Sequence, residues 1–325
     1  MSTQSKPTVV AAKKPITLPA IHAKKEASEP IVMLTAYDFT MAKTLDEADV
    51  DMLLVGDSVA MTHLGHPNTL QITVDEMLHH VKAVTRGAQR AMVVADMPFM
   101  SYHRSKEQAM INAARFIQEG QAQAVKLEGA TDDVCEAIRH LTENGIPVVG
   151  HLGLTPQSLH TLGGYRVQGK TAVDARRMLI DAHRLQEAGV FSLVLEMVPT
   201  EVATEISQSL SIPTIGIGAG NGCDGQVLVI DDLLGRFQEF KPRFVRSYSN
   251  LAEQIKEAVS TYATEVRERS FPNNETEAFA LPAEDAEEVL AALKEPKNGS
   301  LIPLNPYSQM GPSTSSTSGR QRHRS

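Results

Sequence analysis

The chain has 325 residues, a formal net charge of -8 and 42% hydrophobic residues, which suits one large globular domain with tails. The acidic balance disfavours nucleic acid or an anionic membrane surface as a partner, and no apolar run approaches the roughly 18 residues that span a bilayer. The chain has only two cysteines, Cys135 and Cys223, so we expect free thiols and a reducing, cytoplasmic location.

Short apolar runs recur along the chain, and a polar residue follows most of them. A short apolar run bounded by a turn signal is typical of a strand buried on both faces of a parallel sheet. The clearest run, residues 52–58, ends in Gly56, Asp57 and Ser58. In chain order the predicted strands cover residues 31–38, 52–58, 91–98, 124–129, 147–153, 191–199, 213–220 and 226–232.

Helical patterns separate most of these runs. The predicted helices cover residues 40–48, 75–87, 105–119, 132–143, 173–188, 200–209 and 250–268. Regular alternation of strands and helices over roughly 200 residues predicts a single (β/α)₈ TIM barrel, an α/β fold in which all strands end at one mouth. A doubly wound open sheet usually has fewer strands and is therefore the less favoured arrangement.

Composition divides the chain into three parts. We expect a disordered tail over residues 1–15, a catalytic (β/α)₈ barrel with a C-terminal helix over 16–272, and a largely disordered extension over 273–325. The end of the extension is rich in Ser, Thr, Gly and Arg, so it cannot bury apolar surface. Two irregular segments interrupt the barrel, and the first, residues 59–73, is a candidate lid because it follows the strand that ends in Asp57.

Charged side chains stand at the ends of the predicted strands. They are Asp57, Asp96, Lys126, Glu128, His151 and Glu196. Carboxylates without thiolates favour a hard cation, Mg²⁺ before Zn²⁺, and such a cation would polarise the ketone of a 2-oxo acid. One acid at a strand end is more often a helix N-cap, which we predict for Asp38 and Asp231. The recurrence of acids at successive strand ends favours a shared site.

The same strand ends carry longer motifs in a fixed order. They read LTAYD at 34–38, VGDS at 55–58, ADMPF at 95–99, VKLEG at 125–129, GHLGLTPQ at 150–157, GGYRVQG at 163–169 and GIGAG at 216–220. Over about residues 16–272 the chain thereby resembles the ketopantoate hydroxymethyltransferase (3-methyl-2-oxobutanoate hydroxymethyltransferase) family. It departs from the family's usual pattern at Ala60, where glycine is common, in residues 67–71, and at Asp231, where histidine is frequent.

The resemblance implies a Mg²⁺-dependent barrel enzyme of pantothenate synthesis, commonly a homodecamer. It implies transfer of a one-carbon unit from 5,10-methylenetetrahydrofolate to 3-methyl-2-oxobutanoate, giving ketopantoate through an enolate. Its partners would be these small molecules, with no nucleic acid and no membrane.

The resemblance also implies roles for the strand-end residues. Asp57 and Asp96 would ligate the metal directly, and Glu128 would complete the metal environment from a greater distance. The residues that would bind the oxo acid are Asp57, Ser58, Asp96, Lys126 and His151. Glu196 would be the catalytic proton acceptor.

Two other functions stay open. A Mg²⁺-dependent 2-oxo acid lyase or mutase of a related barrel type would need the same metal and no folate. A non-catalytic metabolite-binding homologue is favoured by the altered loop and the long tail. The glycine-rich GIGAG run is interpreted as site lining and not as a phosphate loop, because a glycine loop alone is a weak signal.

Overall fold

The fold of residues 14–294 is described by a computed structural model. Eight parallel strands hydrogen-bond in sequence order and close into a barrel, because the first strand pairs with the last. The strands are β1 (Ile31–Thr35), β2 (Met52–Val55), β3 (Met92–Asp96), β4 (Ala124–Glu128), β5 (Val148–Gly153), β6 (Ser192–Glu196), β7 (Thr214–Ile217) and β8 (Gly225–Leu228). The predicted (β/α)₈ barrel is thus confirmed.

Helices follow most of the strands, and one helix precedes the first strand. They are α1 (Leu18–Glu26), α2 (Phe39–Glu47), α3 (Val59–Thr62), α4 (Val74–Gly87), α5 (Lys106–Gln118), α6 (Asp132–Glu143), α7 (Leu159–Leu162), α8 (Ala172–Ala188), α9 (Thr200–Ser209), α10 (Ile230–Leu234), α11 (Leu251–Glu268) and α12 (Ala283–Lys294). Each of the seven helices predicted from periodicity is present. None of the helices within residues 14–294 has the length and apolarity needed to cross a membrane.

Two apolar clusters form the core of the barrel unit. The larger cluster joins the outward faces of the strands to the helices. The smaller one, here called the inner core, fills the barrel interior with alternate strand residues, as expected when successive side chains point to opposite faces. Its strand members are Ile31, Met33, Met52, Leu54, Met92, Val94, Ala124, Val149, Val194, Ile215 and Val227.

An N-terminal helix, α1, closes the end of the barrel opposite the strand carboxyl ends. Ile21 is fully buried and belongs to the inner core. His22 Nε2 lies 3.0 Å from the carbonyl oxygen of Phe191, and the Ile16 N–H donates to the carbonyl of Arg90 at 2.7 Å. The sequence pattern did not predict this helix, because Ile21 is the only residue that it buries.

The two segments expected to be irregular contain short helical pieces. Residues 59–73 hold α3 and a 3₁₀ turn, Thr69–Gln71, before α4 begins at a capping box in which Thr73 and Glu76 bond each other's backbone N–H. Residues 154–170 hold a 3₁₀ turn, Pro156–Ser158, and α7. Both segments lie at the end of the barrel where the strands terminate.

The described chain divides into two compact units, with a boundary after Ala258. The second unit contains the end of α11, the edge contact between the rings of Tyr262 and Phe271, and α12. Of the tails predicted from composition, residues 1–13 and 295–325 lie outside the described residues.

Candidate active site

Alternation along β4 directs two charged side chains into the barrel. Ala124 belongs to the inner core, so Lys126 and Glu128, two and four positions later, face the same interior. Val125 and Leu127 face the helices. Both Lys126 and Glu128 are buried.

Three further strand ends point inward for the same reason. Asp96, His151 and Glu196 each stand two residues after a valine of the inner core, on β3, β5 and β6. The strand register places Asp96 beside Lys126 and Glu128 beside His151. Because parallel strands share one carboxyl end, these side chains meet at the mouth where barrel enzymes bind their ligands.

Asp57 reaches this mouth by a turn and not by strand alternation. Strand β2 ends at Val55, and the Asp57 N–H donates to Asp96 Oδ2 at 3.0 Å. A Cβ at Gly56 would lie 2.9 Å from Ser58 Oγ and 3.5 Å from Asp96 Oδ2. A larger residue at position 56 would therefore crowd the turn that presents Asp57 and Ser58.

His151 bridges two carboxylates. Its Nδ1 lies 3.2 Å from Glu128 Oε1, and its Nε2 lies 3.3 Å from Glu196 Oε2. Lys126 Nζ approaches the same Nδ1 at 3.4 Å and makes an ion pair with Asp96 Oδ1 at 2.7 Å. A continuous series of charged side chains therefore runs from Asp96 through Lys126 and His151 to Glu196, with Glu128 beside His151.

Gln157 holds the carboxylates in place and was missed as a site residue by the sequence reasoning. Its Nε2 donates to Asp57 Oδ2 at 2.9 Å and to the Met97 carbonyl at 3.0 Å, and its backbone N–H donates to Glu128 Oε2 at 3.0 Å. Tyr102 donates its hydroxyl to Gln157 Oε1 at 2.7 Å. The sequence feature that could have identified Gln157 as a site residue is its place at the end of the GHLGLTPQ motif.

Burial and mutual charge shift the acid–base equilibria of these groups. The pKa of Asp57 is raised well above its ordinary value by burial and by the neighbouring Asp96 and Glu128 carboxylates. Burial alone would raise the pKa of Glu128, but the charges of His151 and Lys126 outweigh it and lower that pKa. Burial and Lys126 disfavour the imidazolium of His151, yet Glu128 and Glu196 raise its pKa to about 9.

Ser58 belongs to a network at the edge of the mouth. Its Oγ is hydrogen-bonded to the buried Tyr37 hydroxyl at 2.8 Å, and the His63 ring contacts the Tyr37 ring edge-on. Asp231 lies 3.5 Å from His63 and is bonded by Arg236. The capping role predicted for Asp231 is wrong, because the side chain serves this network; Asp38, as predicted, caps α2 by accepting from the Met41 N–H.

The donors at the mouth fit a divalent cation with few protein ligands. Within the described part of the chain, no group of three His, Cys, Asp or Glu side chains is placed to hold a metal ion. Mg²⁺ is usually held by one or two carboxylates, with water and substrate oxygens completing the shell. Asp57 and Asp96 match that pattern, since both line the cavity and Asp96 Oδ1, which is ion-paired with Lys126, lacks a well-aligned hydrogen bond. Both Glu128 oxygens are engaged by His151 and Gln157.

A cavity of about 660 Å³ opens over these groups. All predicted site residues line it: Asp57, Ser58, Asp96, Lys126, Glu128, His151 and Glu196. The segments that follow β6, β7 and β8 add mostly apolar lining residues, such as Val198, Phe240 and Phe244, together with the charged Asp232 and Arg243. The cavity thus combines a charged floor with an apolar rim.

Solved structures share this architecture. A phosphonopyruvate hydrolase, solved as a complex with oxalate and Mg²⁺, superposes with a TM-score of 0.53 at 11% identity, over 85% of this chain and 95% of its own. A 2,3-dimethylmalate lyase, a member of the phosphoenolpyruvate mutase/isocitrate lyase superfamily, superposes with a TM-score of 0.51 at 14% identity. The match covers 85% of this chain and 98% of the lyase chain. At these identities the likeness concerns the fold alone.

Sequence relatives are much more similar. A 3-methyl-2-oxobutanoate hydroxymethyltransferase of Syntrophus aciditrophicus is 54% identical over 275 residues, covering 85% of this chain and 98% of the relative. An enzyme of the same name from a Geobacillus species is 54% identical over 261 residues, covering 80% and 93%. The family model described as ketopantoate hydroxymethyltransferase matches residues 15–274. The chain therefore belongs to the ketopantoate hydroxymethyltransferase family.

Proposed function

We propose that this protein converts 3-methyl-2-oxobutanoate and 5,10-methylenetetrahydrofolate into ketopantoate and tetrahydrofolate, with consumption of one water. The new bond joins C3 of the oxo acid to the one-carbon unit, the bonds from that carbon to the folate nitrogens break, and water supplies the hydroxyl oxygen. The main support for this proposal is that four strand ends bring Asp57, Asp96, Lys126 and Glu196 to one cavity.

The oxo acid would bind on the charged floor of the cavity. Lys126 is held in its charged form, because Asp96, Glu128 and Asp57 together outweigh burial and raise its pKa. An ammonium at that position suits the carboxylate or the oxo oxygen of the substrate. Ser58 offers a hydroxyl whose orientation is set by Tyr37, and His151 lies next to Lys126.

A divalent cation fits beside the same substrate. Asp57 and Asp96 are the residues that would hold Mg²⁺, with Glu128 behind them, bonded to His151 and Gln157. The ion, when bound, would polarise the oxo group and acidify C3 as a Lewis acid. Burial and the neighbouring Asp96 and Glu128 carboxylates raise the pKa of Asp57, and a bound cation would offset the repulsion among these three acids.

Glu196 would take the proton from C3. It lines the cavity on β6 and contacts His151 Nε2 at 3.3 Å. The contact with His151 orients the carboxylate and leaves it partly open to the cavity. A positioned carboxylate base of this kind contributes about 10²–10⁴-fold to the rate.

The resemblance supports two further proposals that concern the whole protein. We expect a homodecamer of the 35.3 kDa chain and a location in the cytoplasm. Light scattering of the purified protein measures the assembly mass directly, and a monomer or dimer mass would contradict the first of these.

The activity is tested with purified protein, both substrates and Mg²⁺. We expect ketopantoate to form only when all three are present, and we expect chelation to abolish its formation. In Glu196→Gln the kcat should fall about 10²–10⁴-fold, whereas Glu205→Gln, an exposed carboxylate on α9, should match the wild type. Ketopantoate formation that persists without folate or without any divalent metal would contradict the proposal.

A further inference from the structure

We propose that the apolar rim of the cavity is the binding site of the one-carbon donor, and that Phe240 and Phe244 form the wall against which its planar heterocycle packs. The inference rests on the proposed function and adds the location and chemistry of the second substrate's site. The ligand class is a flat heteroaromatic ring system with an anionic tail.

The first observation is the division of the cavity into two chemical environments. The buried ionisable side chains at the strand ends, from Asp57 to Glu196, form the floor, and mostly apolar side chains with Arg243 among them form the rim. A volume of about 660 Å³ falls in the range of about 300–1,000 Å³ that holds drug-sized ligands. A branched five-carbon oxo acid fills only part of that space, and its polar groups belong on the floor.

The second observation is how the wall is built. Residues 236–250 follow α10 without regular structure, and the buried Val245 anchors them. The Phe244 ring packs on Gly218 at the end of β7, where a Cβ would lie 2.7 Å from Phe244 Cδ1. Gly218 also has a φ of +63°, so a side chain there would be both clashing and strained. The absence of a side chain at this strand end lets the ring lie over the mouth.

The third observation is the exposure of Phe240. Its side chain lines the cavity and is 61% exposed. An exposed aromatic ring at the edge of a concave site marks a binding surface more often than an isolated surface residue does. Planar heterocycles pack well on such rings, because stacking adds dispersion and electrostatic attraction to the burial of apolar area.

The fourth observation is the arrangement of groups along the rim. Met197, Val198 and Pro199 follow Glu196 in the chain and line the side that continues from the proposed base. If the heterocycle of the donor lies between this edge and Phe240, the one-carbon unit that it carries faces Glu196 and the oxo acid. Arg243, exposed and also lining the cavity, is placed for an anionic tail that leaves the mouth.

The test compares Phe240→Ala with two matched variants. Phe240→Tyr keeps the ring, and Tyr248→Ala removes a ring of similar exposure, 67%, from the same segment outside the cavity. For each full-length protein, equilibrium dialysis gives the Kd of tetrahydrofolate and of 3-methyl-2-oxobutanoate. Steady-state kinetics gives KM for 5,10-methylenetetrahydrofolate.

In Phe240→Ala we expect Kd for tetrahydrofolate and KM for the donor to rise about tenfold, the usual scale for the loss of a stacking ring. The Kd of the oxo acid should stay unchanged, Phe240→Tyr should keep most of the donor affinity because it keeps the ring, and Tyr248→Ala should match the wild type. Unchanged donor affinity in Phe240→Ala would overturn the inference, and so would equal weakening of both ligands. A changed assembly mass with unchanged tetrahydrofolate affinity would assign the wall to a contact between copies of this chain and would also overturn it.

Failure of the proposed function gives a different result. If the wild-type protein binds tetrahydrofolate and Phe240→Ala weakens that binding, but no ketopantoate forms, the site assignment stands and the reaction is wrong. If ketopantoate forms and Phe240→Ala leaves the donor's Kd and KM unchanged, the reaction stands and the site assignment is wrong.

Discussion

Lys126 Nζ lies 2.7 Å from Asp96 Oδ1, and both side chains are buried at the carboxyl ends of neighbouring strands. The register pairs the two residues across β3 and β4, so the contact follows from backbone geometry and from the inward alternation of each strand. Such a buried pair is tolerated because each charge compensates the other. The same lysine is then available to an anionic substrate.

Removing Lys126 alone should destabilise the protein. Lys126→Met leaves the Asp96 carboxylate buried without its cation, and we expect the free energy of unfolding to fall by about 3–5 kcal/mol. The double variant Lys126→Met/Asp96→Asn should lose less than the sum of the two single variants, because it leaves no unpaired charge. Urea unfolding in metal-free buffer measures all three. Strictly additive losses would show that the pair is not energetically linked.

Substitution of the proposed metal ligands should weaken Mg²⁺ binding, whereas substitution of an acid with another role should not. Asp57→Asn and Asp96→Asn should each weaken Mg²⁺ binding about tenfold or more, because each removes one of two carboxylate ligands. Asp38→Asn is the matched control, since Asp38 caps α2 and asparagine is an equally good N-cap. Calorimetric titration with Mg²⁺ gives the affinities. Equal affinities in all three variants would refute the ligand assignment.

Gln157 should act by positioning the acids. In Gln157→Ala, Asp57 Oδ2 and the Tyr102 hydroxyl lose a partner, so we expect a loss of about 1–3 kcal/mol in the free energy of unfolding. The kcat should fall as well, because Asp57 is no longer fixed. Gln208→Ala, an exposed change on α9, should alter neither quantity. A Gln157→Ala enzyme with wild-type stability and kcat would show that these hydrogen bonds do not order the site.

Asp232 should make stability depend on pH in the acid range. Burial and the adjacent Asp231 raise its pKa to about 6. Because the pKa is higher in the folded state, its contribution to stability is fully present below the unfolded value, near pH 4, and is lost as pH rises through 6. Asp232→Asn should therefore be more stable than the wild type above pH 6, by about 1 kcal/mol after allowance for its partial exposure.

The check on Asp232 is urea unfolding of both proteins at pH 4 and pH 7. The difference between them should be small at pH 4 and should appear at pH 7. A constant difference across this range would mean that the carboxyl titrates normally in the folded protein.

Strand positions and inward-facing acids could be predicted from the sequence because both follow from short-range rules. A buried parallel strand has a nearly continuous apolar run, and alternation then fixes which following residue points inward. Asp96, His151 and Glu196 satisfy this rule on three different strands. The prediction that the barrel is closed rested only on the number of strands. The parallel pairing of β1 with β8 now demonstrates that closure.

The residues that were missed depend on tertiary contacts. Gln157 acquires its role from an irregular segment that folds back over Asp57, at a sequence separation of 100 residues. Asp231 becomes a partner of His63 and Arg236 instead of a cap, because the segment after β2 reaches α10 past the end of β1, the strand between β2 and β8. Helix α1 buries only Ile21, so it lacks the periodic apolar stripe on which helix prediction depends.

The central claim, that Glu196 removes the C3 proton of a branched oxo acid beside Asp57 and Asp96, is tested most directly by hydrogen exchange. The measurement is proton NMR of 3-methyl-2-oxobutanoate in D₂O with Mg²⁺ and purified protein, without folate. The wild type should exchange the C3 proton for deuterium, and Glu196→Gln should slow that exchange about 10²–10⁴-fold while binding the oxo acid normally. Exchange at the wild-type rate in Glu196→Gln would contradict the account.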